Sequence, residues 1–151
     1  MKFLIQVVTN ASVKVDDNII GSIDKGFLVF VGISNTDDEV LADKMIKKLV
    51  NLRIFADSNG KTNLSINDVN GSMLVISQFT LYANCKKGNR PSFVKSGAPD
   101  HANVLYEYIK RHIADDYGIH VESGMFGADM KVSLLNDGPF TILLDSDEIF
   151  N

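Results

Sequence analysis

Cysteine occurs once in the 151 residues, at Cys85. A single thiol excludes an intrachain disulfide framework and a cysteine-rich zinc site, and it fits a reducing, cytoplasmic setting. Histidine occurs three times, at His101, His112 and His120, with no HxxxH or HExxH spacing. Nothing there reads as a metal centre, and the three are best taken as partly exposed structural side chains. Long apolar runs are missing too. Apart from one glycine, Phe27 to Ile33 is the longest, far short of the ~20 residues that cross a bilayer. The first dozen residues carry one lysine, and Gln6 and Asn10 interrupt any export-type apolar core. There is no Pro/Ser-rich linker, internal repeat or low-complexity tract. Neither G-x-S-x-G nor a P-loop occurs, so a nucleophile elbow and nucleotide hydrolysis have no support.

What is present describes one ordinary domain spanning 1–151. With 45% hydrophobic and 23% charged residues, disordered and fibrous classes drop out. A chain this long buries ~70% of its unfolded surface. The net charge of −4 argues against coating nucleic acid non-specifically, which rests on many Lys and Arg contacts to phosphate. Local charge differs from the total. Lys86, Lys87, Arg90 and Lys95 fall between Asn84 and Gly97 with no acid among them. That stretch reads as a solvated loop or as a loop facing phosphates.

Residues 2–8 read as a first strand, and Ala11–Val15 and Ile19–Ile23 as a hairpin around a short polar loop. Phe27–Ile33 is apolar on both alternations, as in a central strand covered on both faces. Thr36 and Glu39 match a capping box. Leu41, Ala42, Met45, Ile46, Leu49 and Val50 follow at helical spacing, and the charges run as the helix dipole prefers. Leu52–Ala56 and Ser72–Ser77 read as strands. Pro99 opens a second helix with the stripe Ala102, Leu105, Tyr108, Ile109 and Ile113, closed by Gly118. Ile119–Glu122, Met130–Asn136 and Phe140–Leu144 read as three more strands. Strand-rich blocks with two main helices predict an α+β fold built on a largely antiparallel or mixed, barrel-like sheet.

Two segments could carry chemistry. Ser77-Gln78-Phe79-Thr80-Leu81 lies at the end of a buried strand. It reads equally as a polar strand terminus or as a set of hydroxyl, amide and backbone N–H groups aimed into a pocket to stabilise an oxyanion. Asn136-Asp137-Gly138-Pro139-Phe140-Thr141 reads equally as a tight turn or as a site built on a Gly-Pro bond. Cys85 adjoins two lysines that could lower its pKa, but it has no sequence-near base and is better read as an incidental thiol.

Together, SQFTL and NDGPFT at this separation resemble the signatures of the D-aminoacyl-tRNA deacylase family. KFLIQVV with TNASV, NLRIFAD with GK and NLS, RPSF at Arg90–Phe93 and FGADM at Phe126–Met130 are similar to that family's blocks, in its order. The resemblance implies a homodimeric, cytoplasmic hydrolase that needs no metal or other cofactor and has no membrane partner. It would cleave the ester joining a D-amino acid to the 3′ end of tRNA. It implies that Ser77, Gln78, Phe79 and Thr80 line the pocket around the terminal adenosine and the scissile carbonyl. Gly138 and Pro139, flanked by Asn136 and Thr141, would form a cis element that enters the partner subunit's site and rejects L-amino acids by clash. Lys86, Lys87, Arg90 and Lys95 would then meet tRNA phosphates. One position departs: the family commonly has arginine after the first glutamine, and here Val7 follows Gln6. Two alternatives remain in view: an editing relative with a trans Gly-Pro and a roomier pocket, and a non-catalytic RNA-binding dimer.

Overall fold

The computed structural model describes residues 1–150. The chain runs β1 (Lys2–Val15), β2 (Asn18–Ile23), β3 (Gly26–Gly32), α1 (Glu39–Val50), β4 (Phe55–Ala56), β5 (Thr62–Leu64), β6 (Ser72–Ser77), a 3-10 turn (Phe79–Tyr82), α2 (Pro99–Tyr117), β7 (Val121–Ser123), β8 (Lys131–Asp145) and α3 (Ser146–Phe150). β1 pairs antiparallel with β2, β3 and β8, whereas β3–β6 and β6–β7 are parallel. Each parallel pair is joined by a crossover carrying a helix, the connection parallel strands require. β2 closes towards β7, where a Cβ on Gly21 would stand 2.9 Å from the Ser123 carbonyl oxygen. The sheet is therefore mixed and nearly closed, as expected.

β1 is one strand where two were expected. Phe3, Ile5 and Val7 face the core shared with α1 and α2. After irregular register at Val8, the side chains Val8, Ala11 and Val13 face a second cluster with Ile23, Leu28, Leu74 and Ile76. A bulge that shifts parity turns one strand's apolar set from one core to the other. β3 and β6 serve both clusters, so they are apolar at consecutive positions: Phe27, Val29, Met73 and Val75 face the helices, while Leu28, Leu74 and Ile76 face the opposite side.

Several local expectations change. The N-cap of α1 is Asp38, not Thr36: the Leu41 N–H donates to Asp38 Oδ1 at 2.8 Å, and Thr36 Oγ1 lies 3.2 Å from Ser34 Oγ instead. Asp37 is drawn inward. Its buried carboxylate accepts from the Met1 ammonium at 3.0 Å and from the Ser34 N–H and hydroxyl, each at 2.8 Å. The same ammonium donates to Ser146 Oγ at 2.7 Å, so the start of β1 is tied to the turn before α1 and to α3. Only Phe55–Ala56 of the expected Leu52–Ala56 strand forms, β7 runs Val121–Ser123, and the short α3 was not anticipated. Tyr106 takes the fully buried place in α2, its hydroxyl donating to the Val75 carbonyl at 2.7 Å, while Tyr108 is only partly buried.

Candidate active site

β6 ends at Ser77, opposite Val31, and the Gln78 N–H donates to the Val31 carbonyl at 2.8 Å. The chain then tightens into the Phe79–Tyr82 turn, closed by the Leu81 N–H on Gln78 O (3.3 Å) and the Ala83 N–H on Thr80 O (3.0 Å). Gly32 lets this turn lie against β3, since a Cβ there would stand 3.0 Å from Leu81 Cβ. Gln78 Nε2 donates to Thr80 Oγ1 at 2.5 Å. Tyr82 closes the turn, and its phenol is held above its ordinary pKa, first by burial and then by the Asp37 charge.

Ser77, Gln78 and Phe79 form one wall of a cleft of about 720 Å³. A second wall is Phe93–Ala98 (without Lys95) with Pro99 and Ala102 of α2; a third is Phe126–Met130. Phe79 and Phe93 meet edge to face, ring centres 5.0 Å apart, in a favoured aromatic geometry. Thr80 is exposed and does not line the cleft; it stands beside it on the same turn. The second wall is tied down by the Gly97 N–H on Ile33 O (2.8 Å) and the Ala98 N–H on Asn35 Oδ1 (2.7 Å). Lys86, Lys87 and Arg90 are exposed in the loop spanned by the Asn84–Ser92 bridge, and Lys95 is exposed between two lining residues. Among the described residues, none of these four cations is in an ion pair.

Asn136–Thr141 interrupts β8 instead of ending it. Gln6 pairs with Thr141 and Val8 with Asn136, so the four residues 137–140 are extruded opposite Val7 alone. The Gly138–Pro139 bond is cis, and Gly138 has φ +132°. Asn136 holds the excursion: its Oδ1 accepts the Phe140 N–H and its Nδ2 donates to Thr141 Oγ1, both at 2.8 Å. Gln6 Nε2 adds a 3.3 Å bond to the same hydroxyl. Val7 is buried beneath the excursion, and these amides do the holding.

Within one chain Gly138–Pro139 and Ser77 are far apart. Val7 and Phe3, the β1 positions in register with each, are four residues or ~13 Å apart along the strand, and β1 and β3 lie between β8 and β6 in the sheet. Neither Gly138 nor Pro139 lines the cleft. The histidines also lie outside it: His112 Nδ1 meets Asp116 at 2.7 Å, His120 Nε2 meets Glu122 at 3.0 Å, and His101 Nε2 is buried without a partner among the described residues.

A family model described as D-Tyr-tRNA(Tyr) deacylase matches residues 4–145. The chain belongs to this deacylase family. A D-aminoacyl-tRNA deacylase of Lactobacillus acidophilus is 54% identical over 145 residues, covering 96% of this chain and 99% of that one. Another, of Clostridioides difficile, is 50% identical over 151 residues, covering 99% and 100%. The solved structure of a protein described as c-Myc DNA Unwinding Element Binding Protein is 37% identical with TM-score 0.91, covering 96% of this chain and 98% of that one. A probable eukaryotic D-amino acid tRNA deacylase shares the fold at TM-score 0.82 and 18% identity, covering 95% and 97%.

In this deacylase the sequence blocks RPSF and FGADM supply cleft walls, a role their composition did not disclose. Val94, Ser96 and Ala102 also line it and carried no chemical signal. Among the described residues, no helix is long and apolar enough to cross a membrane.

Proposed function

We propose that this chain hydrolyses the ester joining a D-amino acid to the 3′ end of tRNA, releasing free D-amino acid and tRNA. The observation that carries the reading is the SQFTL turn at the main cleft of a chain that matches D-aminoacyl-tRNA deacylases nearly end to end. Residues 1–151 act as one catalytic domain, in the cytoplasm, where aminoacyl-tRNA is made and used.

An aminoacyl ester is already activated, so the enzyme has to position water and stabilise the tetrahedral oxyanion. Ser77, Gln78, Phe79 and Thr80 orient the ester and the terminal adenosine, with backbone N–H groups of the turn facing the developing charge. Thr80 orients and does not attack: a nucleophilic hydroxyl needs a base, and its hydrogen-bond partner is the Gln78 amide. The substrate's neighbouring 2′-hydroxyl assists the water. Lys86, Lys87, Arg90 and Lys95 meet phosphates next to the 3′ end.

The stereochemical filter comes from a second copy. Gly138 and Pro139, held by Asn136 and Thr141, enter the partner's cleft and occupy the space an L side chain's Cβ would need. Two features support this: the distance between the excursion and Ser77 within one chain, and the outer edge of β8, which pairs with no other strand among the described residues. Exclusion by clash leaves D side chains free and cannot reject glycine, which has no Cβ.

A second reading, a nucleic-acid-binding protein without turnover, draws on the name of the 37% identical relative. Release of amino acid from D-tyrosyl-, L-tyrosyl- and glycyl-tRNA, at substoichiometric protein with chelator present, separates the two. The deacylase reading expects multiple turnovers on the D and glycyl esters and none on the L ester. Protection of all three would overturn it.

A further inference from the structure

A second cationic surface lies outside this cleft. Lys44, Lys47, Lys48 and Asn51 are spaced i, i+3, i+4 and i+7, which places them on one face of α1 and its C-cap. That face is opposite the buried stripe of Ala42, Met45, Ile46, Leu49 and Val50. With Arg53 and Phe150 they line a groove of about 550 Å³ that has no carboxylate in its lining. All four cations are exposed, and among the described residues none is in an ion pair. Arg53 is held in place by bonds to the Asn63 carbonyl (2.9 Å) and side-chain oxygen. Lys44 Nζ sits 6.0 Å from the centre of the partly exposed Phe150 ring. Complementing the helix dipole accounts for Lys47 and Lys48 in the last turn. It does not account for Lys44, Arg53 or the aromatic beside them.

The geometry points to a second tRNA-contact site: this groove takes backbone phosphates of the substrate's RNA beyond its 3′-terminal nucleotide. The inference rests on the deacylase reading for the identity of the polyanion. α1 starts just after the Ile33–Asp37 turn, which is bonded to the cleft wall at Gly97 and Ala98. From Glu39, nine residues of helix carry Lys48 ~14 Å further from that wall. An aminoacyl-adenosine seated in the cleft stays within it, whereas the nucleotides on its 5′ side extend that distance. In a chain of net charge −4, an unpaired cation cluster at that distance gives the RNA body its own foothold.

The test uses the triple variant Lys44→Gln/Lys47→Gln/Lys48→Gln in the full chain. Binding of deacylated tRNA, followed by fluorescence anisotropy over a salt series, should show a log–log slope shallower by about one per lysine lost. On D-tyrosyl-tRNA, KM should rise several-fold with kcat unchanged. On 3′-O-D-tyrosyl-adenosine, both constants should stay at their wild-type values. An unchanged salt slope overturns the inference, and so does an equal loss on the short ester, which would mean damage to the cleft. Failure of the wild-type protein to cleave either ester would sink the deacylase reading instead, while the binding series would still decide whether the groove holds RNA.

Discussion

Gly138 has φ +132°, a region L side chains rarely adopt, and a Cβ there would stand 3.1 Å from the Phe140 nitrogen. Forcing a side chain into such a conformation costs of order 1–3 kcal/mol. The excursion would relax to avoid it and move its carbonyls. Gly138→Ala should therefore lower the D-to-L selectivity of ester release about tenfold or more, equivalent to ~1.4 kcal/mol. Rates on D- and L-tyrosyl-tRNA measured side by side check this, and unchanged selectivity would remove Gly138 from the filter. Asn136 illustrates what local chemistry conveyed. The segment NDGPFT reads equally as turn or site, because Asn, Asp, Gly and Pro favour both. Only the register of β1 against β8 reveals that the segment is extruded and that the Asn136 amide bonds both the Phe140 N–H and the Thr141 hydroxyl.

At the scale of elements, helical periodicity located α1 and α2, because an amphipathic stripe is a local property. The start of α1 was misread for a tertiary reason: Asp37 turns inward to the Met1 ammonium, and the cap falls to Asp38. Asp38→Ala should cost ~1 kcal/mol, the usual value of an N-cap side chain. Urea unfolding reads it as a lower midpoint at unchanged slope, whereas Thr36→Ala should move the midpoint far less. β1 and β8 are each expected as two strands, broken at Thr9–Asn10 and at the turn-forming residues 137–139. Both run through, with a bulge or an excursion absorbing the polar residues while the ladder resumes beyond.

The whole molecule leaves β8 as a long edge. Eleven of its fifteen residues pair with β1, the strand pairs with no other among the described residues, and Leu135 and Leu143 are 58% and 49% exposed. Natural sheets seldom leave such an edge bare, because it invites another strand. If a second copy covers it, the protein sediments at twice 16.6 kDa, and Leu135→Glu/Leu143→Glu shifts it to the monomer with loss of deacylation. A monomeric wild-type protein with full turnover would refute the shared site.

The mixed α+β class, the two main helices, the doubly covered β3 and the family are legible in the linear order of residues and motifs. These depend on residues close in the chain, where periodicity and composition act directly. The tertiary structure alone decided that RPSF and FGADM wall the cleft, that Gly138–Pro139 stands away from Ser77 of its own chain, and that Asn136 and Gln6 hold the excursion above Val7. Those relations join residues up to 135 positions apart. They are set by strand register and sheet closure, which no local pattern encodes.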